Sequence, residues 1–175
     1  MPGGFTVTEA ELPESAGLPE RQFVGREAFS GLIRDAFACA AREGWPEMIL
    51  SDATFEDWPL RDRAVVDSLC AWSKTGRRLT LLAAHYDVVL RNYPRFVVWR
   101  KTWSHIIDCR VCRTADTLDF PSVLWSRNWA LQRLDLNHSS GTCGSSPERR
   151  VKLKESLAER LRNSVPGFPA SILGL

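Results

Sequence analysis

Residues 47–84 read EMILSDATFEDWPLRDRAVVDSLCAWSKTGRRLTLLAA, and the order of patterns within them decides the fold. Met48 to Ser51 is a short apolar run between Pro46 and the polar stretch SDATFEDWP (51–59), which suits a buried strand. In LRDRAVVDSLCAWSKTG (60–76), Leu60, Val65, Val66, Leu69 and Trp72 share one side and Gly76 supplies a C-cap, which predicts a helix. RLTLLAA (78–84) is a second apolar run. Two near-continuous apolar strands joined by a helix make a βαβ unit, hence parallel pairing with a right-handed crossover.

Upstream, GREAFSGLIRDAFACAAREG (25–44) repeats Phe29, Leu32, Ile33, Ala36, Phe37 and Ala40 at helical spacing and closes on Gly44, so an amphipathic helix is expected. Residues 1–22 carry Pro2, Pro13, Pro19 and four glutamates, and read as a flexible acidic arm, leaving 23–175 as a single α/β domain. Downstream, YDVVL (86–90) suits one helical turn, and Pro94 opens a helix with Phe96, Trp99 and Trp103 inward. HIIDCRV (105–111), SVLWS (122–126) and WALQRLDL (129–136) suit strands, the last two a hairpin through Arg127-Asn128. NHSSGTCGSSP (137–147) reads as a loop. Ser145 and Glu148 fit a capping box for a final helix with Val151, Leu157 and Leu161 inward. The tail VPGFPASILGL (165–175) is apolar and is expected to pack on the body. The sum is a three-layer α/β domain with a mixed sheet of about five strands flanked by helices.

Composition bounds the function more than it names it. The 175-residue chain is 44% hydrophobic and 25% charged, with a net charge of +2. At this length folding buries roughly 70% of the unfolded surface, so the core needs no staple. A charge of +2 does not by itself imply nucleic acid or an anionic membrane. No apolar run approaches the length of a membrane span, and the N-terminus lacks the basic and apolar regions of a secretory signal. Five cysteines then predict free thiols in a reducing cytoplasm. The seven tryptophans are expected in the core.

Three constellations carry candidate chemistry. The carboxylates Asp52, Glu56 and Asp57 follow the first strand at its C-terminal end, where parallel α/β sheets bind ligands; with His85, just beyond the next strand, they are candidates for a metal or general-base site. The plainer alternative is a turn with solvated carboxylates. RNYPRFVVWRKTW (91–103) interleaves Arg91, Arg95, Arg100 and Lys101 with aromatic residues, a pattern that can follow a phosphate backbone and stack bases, but also that of a core helix with a wet face. His105, Cys109 and Cys112 have H-x3-C-x2-C spacing, with Cys143 or His138 as a fourth zinc ligand. Strand alternation opposes this, because it puts Cys109 and Cys112 on opposite faces unless the chain turns at Arg110. No nucleophile-elbow, Walker or dinucleotide motif occurs.

The succession EMILSD (47–52), WPLRDRAVVDSL (58–69), RRLTLLAAHYD (77–87) and VLRNYPRFVVWRKTWSHIIDCR (89–110) resembles a phospholipase D-like half-domain, over roughly residues 46–113. The continuation through PGFPASILGL (166–175) resembles a proteobacterial family with no assigned activity. The resemblance implies a mixed sheet between helices. It does not imply the activity, because phospholipase D enzymes use H-x-K-x4-D, with His as nucleophile and Lys holding the phosphate. Here His85, His105 and His138 are followed two residues on by Asp87, Ile107 and Ser140. A degenerate, non-catalytic interaction module is therefore expected, with no cofactor and with a second copy or another protein as partner. A metal-dependent or phosphate-handling hydrolase and a nucleic-acid-binding protein are the alternatives.

Overall fold

The computed structural model describes residues 17–113 and 117–168. In chain order these form β1 (Arg21–Phe23), α1 (Arg26–Glu43), β2 (Glu47–Ser51), α2 (Arg63–Ser73), β3 (Arg78–Ala83), α3 (Asp87–Asn92), α4 (Pro94–Thr102), β4 (Ile107–Val111), a 3-10 turn (Thr117–Asp119), β5 (Ser122–Ser126), β6 (Ala130–Asp135), β7 (Ser140–Gly144), α5 (Pro147–Arg162) and β8 (Val165–Pro166). The strands make one mixed sheet in the order β1-β7-β6-β5-β2-β3-β4-β8. Strands β2, β3 and β4 run parallel, as the βαβ reading requires, and every other pairing is antiparallel.

Alternation along the strands sorts the core into two layers. Met48, Leu50, Leu79, Leu81, Ile107, Cys109, Leu124 and Leu131 face α1, α2 and α4, whose Phe29, Ile33, Phe37, Leu69, Trp72, Phe96 and Trp99 complete the larger core. Ile49, Leu82, Val123 and Trp125 face the other way, under Leu153 and Leu157 of α5. Six of the seven tryptophans are buried and Trp103 is partly so. The indoles of Trp72 and Trp99 donate inside the core, to Trp45 O at 2.6 Å and Ser73 Oγ at 2.9 Å.

The sheet has eight strands rather than about five. The three additional ones lack a strand's sequence signature. β1 has three residues with one buried, β8 has two exposed residues, and β7 is SGTCG, the stretch expected to be a loop. β7 pairs because Gly141 lets it approach β6: a Cβ there would lie 2.0 Å from Gln132 O. Arg21 and Gln22, within the expected arm, belong to β1, and Pro19 O accepts from Trp129 Nε1 at 2.9 Å. The rest of the acidic arm, residues 1–16, lies outside the described residues, as does 169–175 of the apolar tail.

Gly44 closes α1 in the left-handed conformation, with φ 69°. Gly76 has a different role from the expected cap. α2 ends at Ser73, and Gly76 is needed because a Cβ would lie 2.3 Å from the Trp72 ring. No capping box forms at α5, since Ser145 Oγ donates to Glu20 Oε1 at 2.5 Å. On α5 the inward residues are Leu153 and Leu157, while Val151 is exposed and Leu161 is only partly covered. Among the described residues no helix is long and apolar enough to cross a membrane.

Candidate functional site

The parallel strand β2 ends at Ser51, so the next residue, Asp52, leaves the sheet at its C-terminal edge. Asp52 is 4% exposed. Its Oδ2 accepts from the backbone N–H groups of Thr54 (3.2 Å) and Phe55 (2.8 Å), which folds residues 52–55 into a tight turn. Phe55 adopts φ 62°, a conformation costing a non-glycine residue about 1 kcal/mol or more. Its surroundings hold it there: the Tyr93 hydroxyl reaches Phe55 O (2.9 Å) and Glu56 O (3.1 Å), and Trp58 packs edge-on against its ring. Burial of that hydroxyl pushes its pKa up.

Register then brings in a residue from two strands away. Ser51 lies opposite Val123, and Ser122 lies opposite Arg133. Asp52, Ser122 and Arg133 therefore share one level of the sheet. Arg133, 5% exposed, donates from Nη2 to Asp52 Oδ1 (3.0 Å), from Nη1 to Asp57 Oδ2 (3.1 Å) and Ser139 Oγ (3.2 Å), and from Nε to Ser122 Oγ (3.2 Å). Its guanidinium lies 4.4 Å from the centre of the Phe29 ring. Arg26 Nη2 donates to the second Asp57 oxygen at 3.0 Å. All four aspartate oxygens thus accept hydrogen bonds from within the protein. A cleft of about 170 Å³ opens beside the cluster, lined by Thr54, Glu56, Asn137 and Leu136 as well as the ion pair.

The carboxylates singled out from the sequence therefore do converge, but on an arginine. Asp52 and Asp57 hold Arg133, Glu56 stands exposed at the cleft, and His85 is exposed and does not line it. Arg133, Ser122 and Ser139 carry no motif. A signal for Arg133 nonetheless exists: in WALQRLDL it alternates in phase with Trp129 and Leu131, and a charged residue in an inward register is buried only when paired.

The basic strip is divided. Arg91 and Arg95 are exposed and Lys101 is half-buried. Arg100 is 6% exposed and donates to Phe168 O and Ile107 O, each at 3.2 Å, so it is a core residue and not part of a basic surface. The cysteines are dispersed as well. Cys109 is buried with Ile107 in the larger core, whereas Cys112 packs against the smaller one on the opposite side. Cys143 sits on β7, five strand positions from β4, and His105 is exposed beside Trp103. His138, the other proposed fourth ligand, is exposed and bonds Asp135 Oδ2 at 2.8 Å. Among the described residues no group of three His, Cys, Asp or Glu is arranged to hold a metal. Burial pushes the Cys109 thiol up to about 12, which keeps it protonated at neutral pH and disfavours the thiolate that metal binding or redox exchange requires.

No protein-family model matches the chain, and no curated protein matches it by sequence. Solved structures match its fold. TrmBL2, an archaeal chromatin protein that binds DNA, superposes with a TM-score of 0.62 at 16% identity over 94% of this chain, which spans 63% of that protein's length. Nuc, a phospholipase D family member from Salmonella typhimurium, superposes with a TM-score of 0.56 at 10% identity over 85% of this chain and 99% of Nuc. At these identities the likeness is one of architecture, and the chain has a phospholipase D-like fold.

Proposed function

We propose that the domain is a non-catalytic binding module on a degenerate phospholipase D-like scaffold. The observation that carries this reading is the closed coordination of Asp52 and Asp57. Their four oxygens are committed to Arg133, Arg26 and two backbone N–H groups, which leaves them poor general bases and poor metal ligands. The three histidines add support. They lie on separate segments, all exposed, and none has Lys two residues on. Five free thiols fit a reducing, cytoplasmic setting. A protein partner, a second copy included, fits this reading.

The test is turnover of bis(p-nitrophenyl) phosphate and of phosphatidylcholine vesicles by the purified chain. The expected rate equals that of buffer. A rate above buffer that falls about a hundredfold in Glu56→Ala or His85→Ala would overturn the proposal and restore the hydrolase reading.

Nucleic acid is the second reading. It is supported by the fold likeness to a DNA-binding chromatin protein and by the exposed Arg91 and Arg95. Its signature is affinity for oligonucleotides that falls steeply with salt. Affinity that is absent at low salt, or insensitive to Arg91→Ala and Arg95→Ala, removes it.

A further inference from the structure

A cavity of about 450 Å³ opens between α5 and the β5–β6 turn, lined by Trp125, Arg127, Arg150, Val151, Lys154 and Ala158. β5 runs antiparallel to β2, with Ser126 opposite Met48 and Val123 opposite Ser51. The cavity therefore lies toward the start of β2, at the end of the sheet opposite Asp52.

The helix repeat puts Arg150, Lys154 and Ala158 on one flank of α5, with Val151 beside them. The cations there are held by neutral groups. Trp125 Nε1 donates to Arg150 O at 2.9 Å, which fixes the indole, and the Lys154 ammonium lies 4.7 Å from the centre of that ring. Arg150 donates from Nε to Ser145 O at 3.2 Å and from Nη1 to Arg127 O, both uncharged acceptors. Arg127 is exposed. Among the described residues neither arginine forms an ion pair, and Lys154 reaches only Glu47, at 3.7 Å, beyond hydrogen-bond length. Glu155 also lines the cavity, so three cations face two carboxylates, neither close enough to hydrogen-bond to them. Val151 is 57% exposed, against the expectation that it faces inward, and with Ala158 it forms an aliphatic wall to the same cavity.

We infer that this cavity binds a small organic anion, whose acidic group is received by Arg127, Arg150 and Lys154 and whose apolar body lies against Val151 and Ala158. Its size is that of a small-molecule site. Cations already positioned by backbone carbonyls and an indole lose little freedom when the anion arrives. Cations alone would draw any polyanion, whereas the aliphatic wall beside them selects an anion with an apolar body. The cavity shares no residue with the Asp52 cluster, so the inference stands or falls separately from the non-catalytic reading.

The probe is 8-anilinonaphthalene-1-sulfonate, an aromatic sulfonate that brightens in apolar surroundings, and N-phenyl-1-naphthylamine is its uncharged counterpart. Fluorescence titration of the full chain should give saturable binding of one sulfonate per chain, about tenfold tighter than the uncharged probe and weakened by salt. Arg127→Gln/Lys154→Gln and Val151→Asp should each weaken sulfonate binding about tenfold, while Arg91→Ala, on another surface, leaves it unchanged. In the parent chain the methyl resonances of Val151 and Ala158 should shift on addition of the sulfonate, a measurement that needs no substitution. No saturable binding, equal affinity for the two probes, or affinity unchanged in both cavity variants would each overturn the inference. So would shifts elsewhere in the chain without shifts at Val151 and Ala158.

Discussion

The molecule buries two arginines, and it treats them differently. Arg133 is held by two carboxylates and two hydroxyls, and it joins the loop after β2 to β6 and the turn before β7. Arg100 is held by two backbone carbonyls and the Phe168 ring, and it joins α4 to β4 and to the last described residue. The first is a charge matched by charge, so losing one partner strands the other in a dry site. The second is a charge matched by dipoles, so its loss strands only neutral acceptors. The contrast separates a cluster that fixes the relation of distant strands from a clamp that fixes one segment.

Removing the charge at each site should separate the two arginines by the largest margin. Arg133→Met leaves Asp52 buried without its cation and should lower unfolding stability by about 3–5 kcal/mol in urea denaturation. Arg100→Met leaves Phe168 O and Ile107 O without their donor and should cost about 1–3 kcal/mol. Equal losses at the two positions would erase the distinction.

An alkaline titration probes the surroundings of Arg100. Burial pushes Cys109 up to about 12, and the nearby Arg100 charge partly offsets that burial. A thiol whose folded pKa exceeds its unfolded value contributes stability in full below about 8.5, and loses it as pH rises toward the folded value. Stability should therefore fall between about pH 9 and pH 12, by up to about 1.4 kcal/mol per pH unit from this thiol. Cys109→Ala should flatten the slope, and an unchanged slope would remove Cys109 from the account. At the small end, Arg91→Ala and Arg95→Ala, both on the surface, should each change stability by no more than about 0.5 kcal/mol.

The parallel part of the sheet was legible because its strands are apolar on both faces and the helix between them keeps helical period. Met48–Ser51 and Arg78–Ala83 read as what they are. The antiparallel edge was not. SGTCG pairs through a glycine that allows close backbone approach, and neither hydrophobic periodicity nor β-propensity registers such an approach. The H-x3-C-x2-C spacing shows the opposite error and its remedy, because alternation along the strand already put Cys109 and Cys112 on different faces, where the structure has them. The candidate carboxylates were visible at the end of a strand. Their partner was not, because Arg133 is 81 residues from Asp52 and only register brings the two together.

Asp52 and Arg133 are bonded to one another in the dry part of the cluster, and the proposed non-catalytic reading requires that they act as one structural unit. A double-mutant cycle on unfolding free energy, with Asp52→Asn, Arg133→Met and the pair, isolates their coupling. The double variant should be more stable than the sum of the single losses implies, with a coupling of about 2–3 kcal/mol. Additive losses, with coupling below about 0.5 kcal/mol, would contradict it.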